Sequence, residues 1–157
     1  MLIYLIDDRG QDSEYQAFIH AYRAQLPAYS MKVFTHWNEM YQAISEQKPD
    51  LILADMRFDL IPSEQLYGDI QSLAQSDHFG GNVERAEIQV RGIQGLLICR
   101  ALRDHHIDTP IILFASLTEA VTRNALNTLA PICIIKGLIL DEIIQALHTL
   151  VPDFIRG

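Results

Sequence analysis

Cysteine is scarce: Cys99 and Cys133 are the only two, and neither sits in a CxxC or Cys/His spacing. That spacing is what a zinc site requires, so none is expected. Lying inside apolar runs, both read as reduced thiols that pack as small hydrophobes. Basic charge is also in short supply. There are 12 Lys and Arg against 20 Asp and Glu, a net charge of −8, and no run of basic residues anywhere. Nucleic-acid affinity comes largely from cations that neutralise phosphates, so DNA or RNA binding by this chain alone is not expected. No apolar run approaches the ~20 residues of a membrane span. The opening MLIYLIDD has neither the basic n-region nor the long apolar stretch of a signal peptide, which reads as cytoplasmic.

What is present is the composition of a globular domain, 49% hydrophobic and 20% charged. At 157 residues the chain suits a single domain spanning 1–157. Leu2 to Ile6 is a short apolar run that ends in two aspartates, as a strand buried on both faces would. Asp12 or Ser13 can cap a helix through Tyr15, Phe18, Ile19, Tyr22 and Leu26. Met31 to Phe34 is a weaker strand. Met40, Tyr41 and Ile44 mark a second helix, with Asn38 as its cap. Leu51 to Ala54 is a strongly apolar strand that runs into Asp55. Gly95 to Arg103 reads as a helix, Ile111 to Phe114 as a strand, and Thr118 or Glu119 starts a helix reaching about Ala130. Ile132 to Ile135 ends at Lys136, and Leu140 to Leu150 is an amphipathic helix.

Apolar strands alternating with amphipathic helices imply a mostly parallel sheet covered on both faces. Right-handed crossovers gather the C-terminal strand ends along one edge, where open α/β folds bind ligands. That edge collects Asp7, Asp8, Asp55, Ala115, Ser116 and Lys136. Three carboxylates brought together resist ionising, and a divalent cation such as Mg²⁺ relieves the conflict with oxygen ligands. An ion of this kind, with a nearby ammonium, suits phosphoryl transfer to an aspartate. One aspartate after a strand often does no more than begin a loop; the recurrence at several strand ends is what points to chemistry. The six histidines are scattered, His105–His106 reads as an exposed helix end, and Trp37 reads as a packing residue.

The pair Asp7–Asp8, Asp55 after PDLILA, Lys136 after ICII, and the stretch GIQGLLICRALRDHHIDTPIILFAS together resemble the receiver domain of a two-component response regulator. The resemblance covers essentially the whole chain outside residues 58–94. It implies a flavodoxin-like (βα)5 fold, a doubly wound parallel five-stranded sheet with a segment inserted between strand 3 and helix 3. It further implies phosphorylation of Asp55 by a histidine kinase or phosphotransfer protein, with Lys136 steadying the phosphoryl group. Mg²⁺ would be held by Asp8 and Asp55, with Asp7 assisting and the Arg57 carbonyl as a further ligand. The domain would carry no output domain of its own and would act through contacts with an unidentified downstream protein, or as a homodimer. Beyond accepting the phosphoryl group on itself it would not be an enzyme.

Some positions depart from the family pattern. The switch hydroxyl is expected at the fifth residue past Pro110, which is Ala115; the hydroxyl stands one place later, at Ser116. Cys133 replaces the aromatic residue expected before the lysine, and Gly137 the proline expected after it. These departures support a second reading, an interaction module with the same fold and no phosphate cycle. A Mg²⁺-dependent phosphohydrolase would share the carboxylates but needs an acid–base residue, for which Asp59 is the nearby candidate.

Residues 58–94 form the largest departure, far longer than the ~2–6 residues of ordinary strand-to-helix loops. Ser63 to Gln75 has helical spacing at Leu66, Ile70 and Leu73, Gly80–Gly81–Asn82 reads as a turn, and Glu87 to Arg91 alternates like a short strand. Six acids against Arg85 and Arg91 make the segment acidic. It is expected to form a partly ordered subdomain that offers a partner or dimer surface.

Overall fold

Five short apolar segments assemble into one parallel sheet in the computed structural model, which describes residues 1–155. The strands are β1 (Leu2–Ile6), β2 (Ser30–Phe34), β3 (Leu51–Asp55), β4 (Ile111–Phe114) and β5 (Ile132–Ile135), ordered β2-β1-β3-β4-β5. In register, Ile6 lies beside Ala54 and Asp55 beside Phe114, so the ends of β1, β3 and β4 come level. Successive side chains of a strand point to opposite faces. Tyr4, Ile6, Ile52, Ala54, Ile111 and Leu113 accordingly enter one core, while Ile3, Leu5, Leu51, Leu53, Ile112 and Phe114 enter the other.

The second core is closed by α1 (Glu14–Ala21) through Ile19 and by α7 (Leu140–Leu150) through Ile143 and Leu147. The first is closed by α2 (Trp37–Glu46), α5 (Gln94–Asp104) and α6 (Glu119–Thr128), which bring Met40, Leu102 and Ala125. Ser13 caps α1 by accepting from Gln16 N, and Thr118 caps α6 by accepting from Val121 N. The cap of α2 is His36, not Asn38. Its buried stripe runs Trp37, Met40, Ile44, so the helix must begin at the tryptophan to keep that indole inside.

Between β3 and α5 the chain departs further from its sequence pattern. A single helix over 63–75 does not form: Ser63–Gln65 is one 3-10 turn, Gly68 sits at φ +124°, and α3 covers only Ile70–Ala74. That φ belongs to glycine and breaks the periodicity. Glu87 to Arg91 is helical, within α4 (Val83–Gly92), which Asn82 caps by accepting from Arg85 N at 3.1 Å. The expected turn lies just before that cap.

The apolar face of the segment finds its partner in the same chain. Phe58, Ile61, Leu66 and Val90 belong to the first core, and Ile70 and Leu73 pack against it. Two side chains fasten the segment. Gln94, fully buried, accepts from Tyr67 N at 2.7 Å and donates to Tyr67 O at 3.0 Å. Arg91 donates to the carbonyls of Phe58 and Ile61 at 3.1 and 2.9 Å, while Phe58 N donates to Arg91 O at 2.9 Å. Cys99 is buried and Cys133 half-buried, and both are free thiols.

Candidate acidic site at the sheet edge

Asp7 and Asp8 follow the last residue of β1, and Asp55 is the last residue of β3. Because these strands are adjacent and level, the three carboxylates converge, one oxygen from each lying within 4.8 Å of the others. Asp7 is only 1% exposed, and its Oδ1 accepts from Arg9 N at 3.0 Å. Asp8 Oδ2 accepts from Asp59 N at 2.6 Å and Leu60 N at 2.9 Å, which ties the chain after β3 back to the end of β1. Asp55 Oδ1 accepts from Met56 N and from the Tyr15 hydroxyl, both at 2.9 Å.

Burial is the main force on the acidity of Asp55, pushing its carboxyl from the ordinary 3.8 up to about 6. The Tyr15 hydroxyl and Met56 N–H oppose that shift, and the charges of Asp7 and Asp8 reinforce it. Asp7 is likewise raised, again chiefly by burial. The Tyr15 phenol is raised by burial and then by the facing Asp55 charge. The helix behind the site approaches very closely. Gly95 N donates to Met56 O at 2.9 Å, and a β-carbon on Gly95 would lie 2.0 Å from Asp55 O.

An all-oxygen donor set of this charge suits a hard divalent cation, which commonly uses one or two carboxylates and keeps several waters. Asp7, Asp8 and Asp55 fit that role. The carbonyl of Arg57 takes no hydrogen bond from any other described residue.

The side chains of the remaining sequence candidates make no hydrogen bond or ion pair to these three carboxylates among the described residues. Lys136 follows β5, is exposed, and has no carboxylate within ion-pair distance among the described residues. It lines a surface groove with Ile139 and Glu142. Ser116 is exposed, whereas Ala115 is buried with its N–H bonded to Ile135 O. The Asp59 carboxylate pairs with Arg57 at 2.7 Å, on the outside of the site.

Tyr15 is the contact to Asp55 that sequence reasoning missed. Its helical spacing marked it as a core position, and its ring does pack there, stacked on Phe114 with centroids 4.4 Å apart. The available signal was a polar-tipped aromatic in the first turn of the helix that follows the acidic pair.

No protein-family model matches the chain, and no curated protein matches it. Solved structures do. The Francisella response regulator 1452 receiver domain is 15% identical with a TM-score of 0.61, over 99% of this chain and 97% of that one. The response regulator domain of Thermotoga maritima CheB is 16% identical with a TM-score of 0.53, over 99% and 94%. The NTRC receiver domain in its beryllofluoride-activated form is 17% identical with a TM-score of 0.54, over 99% and 94%. The chain therefore has the α/β fold of response-regulator receiver domains, with the same parallel five-stranded sheet.

Proposed function

We propose that the chain is a signalling receiver that accepts a phosphoryl group on Asp55 from a histidine kinase or a phosphotransfer protein. The observation that carries this reading is the convergence of Asp7, Asp8 and Asp55 at the C-terminal edge of a receiver-type sheet. Mg²⁺ at Asp7, Asp8, Asp55 and the Arg57 carbonyl would neutralise charge on the transferring group. An Asp55 oxygen then bonds to phosphorus while the phosphorus–nitrogen bond of a phosphohistidine breaks and its electron pair returns to the imidazole. A cation bound beside Asp55 would favour its ionised form, which is the form that acts as the nucleophile. Lys136, at the end of β5, supplies the ammonium for the phosphoryl oxygens once that group is in place. The chain acts on no other substrate and passes its state on through contacts with a downstream protein or a second copy. A cytoplasmic setting suits such a partner, and no helix among the described residues is long and apolar enough to cross a membrane.

A second reading, an interaction module without a phosphate cycle, draws on Lys136 making no ion pair with a carboxylate among the described residues and on Ala115 at the hydroxyl position. Intact-mass analysis after acetyl phosphate and Mg²⁺ separates the two. The wild type should gain one phosphoryl group and Asp55→Asn none. An unmodified wild type favours the interaction module.

A further inference from the structure

We infer that Tyr15 is a positioning residue that restrains Asp55, holding with its hydroxyl the carboxylate oxygen that phosphoryl acceptance needs. This rests on Asp55 being the acceptor. A carboxylate has two oxygens and about four lone-pair sites. If it both holds a cation and attacks phosphorus, it needs one oxygen for each. Here Oδ1 already accepts two hydrogen bonds, from Tyr15 Oη and Met56 N at 2.9 Å each. Cation and phosphorus are left to compete for Oδ2. The Met56 N–H is part of the chain turn beside Asp55 and has little freedom to leave. The phenol is the donor that can let go.

Its position is built into the fold. Tyr15 lies in the first turn of α1, directly after the Ser13 cap, and its ring stacks on Phe114 at an interplanar angle of 27°. Phe114 is the register partner of Asp55 on the neighbouring strand. One strand pair thus carries both the carboxylate and the platform that aims the hydroxyl at it. A hydrogen bond to a charged group is stronger than one between neutral groups, so breaking it is a real cost on the way to reaction. The same bond draws electron density from the attacking carboxylate. Both effects slow acceptance, and both disappear when the hydroxyl is removed and the ring kept.

The test compares wild type with Tyr15→Phe, using acetyl phosphate at saturating Mg²⁺. In that reaction an Asp55 oxygen bonds to phosphorus, the phosphorus–oxygen bond to the acetyl group breaks, and acetate leaves with the electron pair; no proton moves. The maximal rate of Asp55 phosphorylation should rise about tenfold in Tyr15→Phe, with the half-saturating acetyl phosphate concentration little changed. Beryllofluoride, followed by ¹⁹F NMR in the presence of Mg²⁺, should bind about tenfold more tightly. A merely structural tyrosine would give a loss in both measurements and not a gain. Equal or slower modification of Tyr15→Phe, beside a wild type that is modified, overturns the role of Tyr15 and leaves the receiver reading standing. If neither protein is modified nor binds beryllofluoride, the acceptor reading fails and this inference with it.

Discussion

Burial sets the behaviour of Asp55 more than any single neighbour does, and its consequence runs opposite to that of an ordinary surface carboxylate. The folded chain holds the Asp55 proton more tightly than the unfolded chain, with a value near 6 against 3.8. The stability this group confers is therefore complete below the unfolded value and is lost as pH rises through about 6. At neutral pH the ionised, crowded carboxylate destabilises the fold, and Asp7 acts in the same direction. In EDTA at pH 7.5, Asp55→Asn should melt about 2–4 °C above wild type, corresponding to about 1 kcal/mol for a domain of this size. That figure is kept small because the carboxylate is partly solvated and screened. The gap should close toward pH 4, where both forms carry a neutral side chain. Melting curves between pH 4 and 8 read this directly, and an Asp55→Asn protein no more stable than wild type at pH 7.5 would contradict it. Asp55 was legible from the sequence because aspartates recur at the ends of buried strands that a parallel sheet brings to one edge. Tyr15 was not, because its ring obeys the packing pattern and only its last atom reaches the site.

Among the elements, the central strands could be read because burial on two faces leaves an unambiguous apolar run. The helices could be read from their apolar spacing, and the edge strand β2, alternately exposed, only weakly. The segment between β3 and α5 could not. Glu-Ile-Gln-Val-Arg alternates over five residues, yet only Val90 turns inward, while Ile88 is 60% exposed. The true period is carried by Ala86 and Val90, one helical turn apart on the buried side of α4. Likewise Leu66, Ile70 and Leu73 share a helical spacing that the backbone at Gly68 interrupts. Gly95 shows what a close approach demands of an element end. Its α-carbon lies so near the Asp55 carbonyl that a methyl group would sit 2.0 Å from that oxygen and 2.9 Å from Met56 Cα. Gly95→Ala should force the start of α5 away from β3, break the bond from Gly95 N to Met56 O, and cost about 3 kcal/mol or more. Urea denaturation measures the loss, and a cost below about 1 kcal/mol would mean the backbone relaxes there with ease.

For the molecule as a whole, the question is whether the chain from 60 to 92 is an attachment or part of the body. Its residues Ile61, Leu66 and Val90 are buried in the core that the sheet, α2 and α5 share, so nothing in the packing separates it. Leu66, Ile70 and Leu73, the face expected to seek a partner, pack on this core instead, while Leu60 and Ile88 of the same segment stay exposed. Replacing 60–92 with a short Gly/Ser linker should lower the urea midpoint sharply, because each large aliphatic side chain lost from a core costs about 2–5 kcal/mol. A sharper check uses Gln94, whose buried amide is matched to the backbone of Tyr67 and to Val90 O. In the full chain, Gln94→Leu strands the N–H and carbonyl of Tyr67 and should cost about 2 kcal/mol. In the shortened chain those partners are gone, and the amide is the group left without hydrogen bonds. There the same substitution should be neutral or stabilising. The resulting coupling of about 2 kcal/mol in a double-mutant cycle identifies the segment as part of the fold. Equal effects of Gln94→Leu in both backgrounds, together with an unchanged midpoint for the shortened chain, would show that the segment rests on the domain without supporting it.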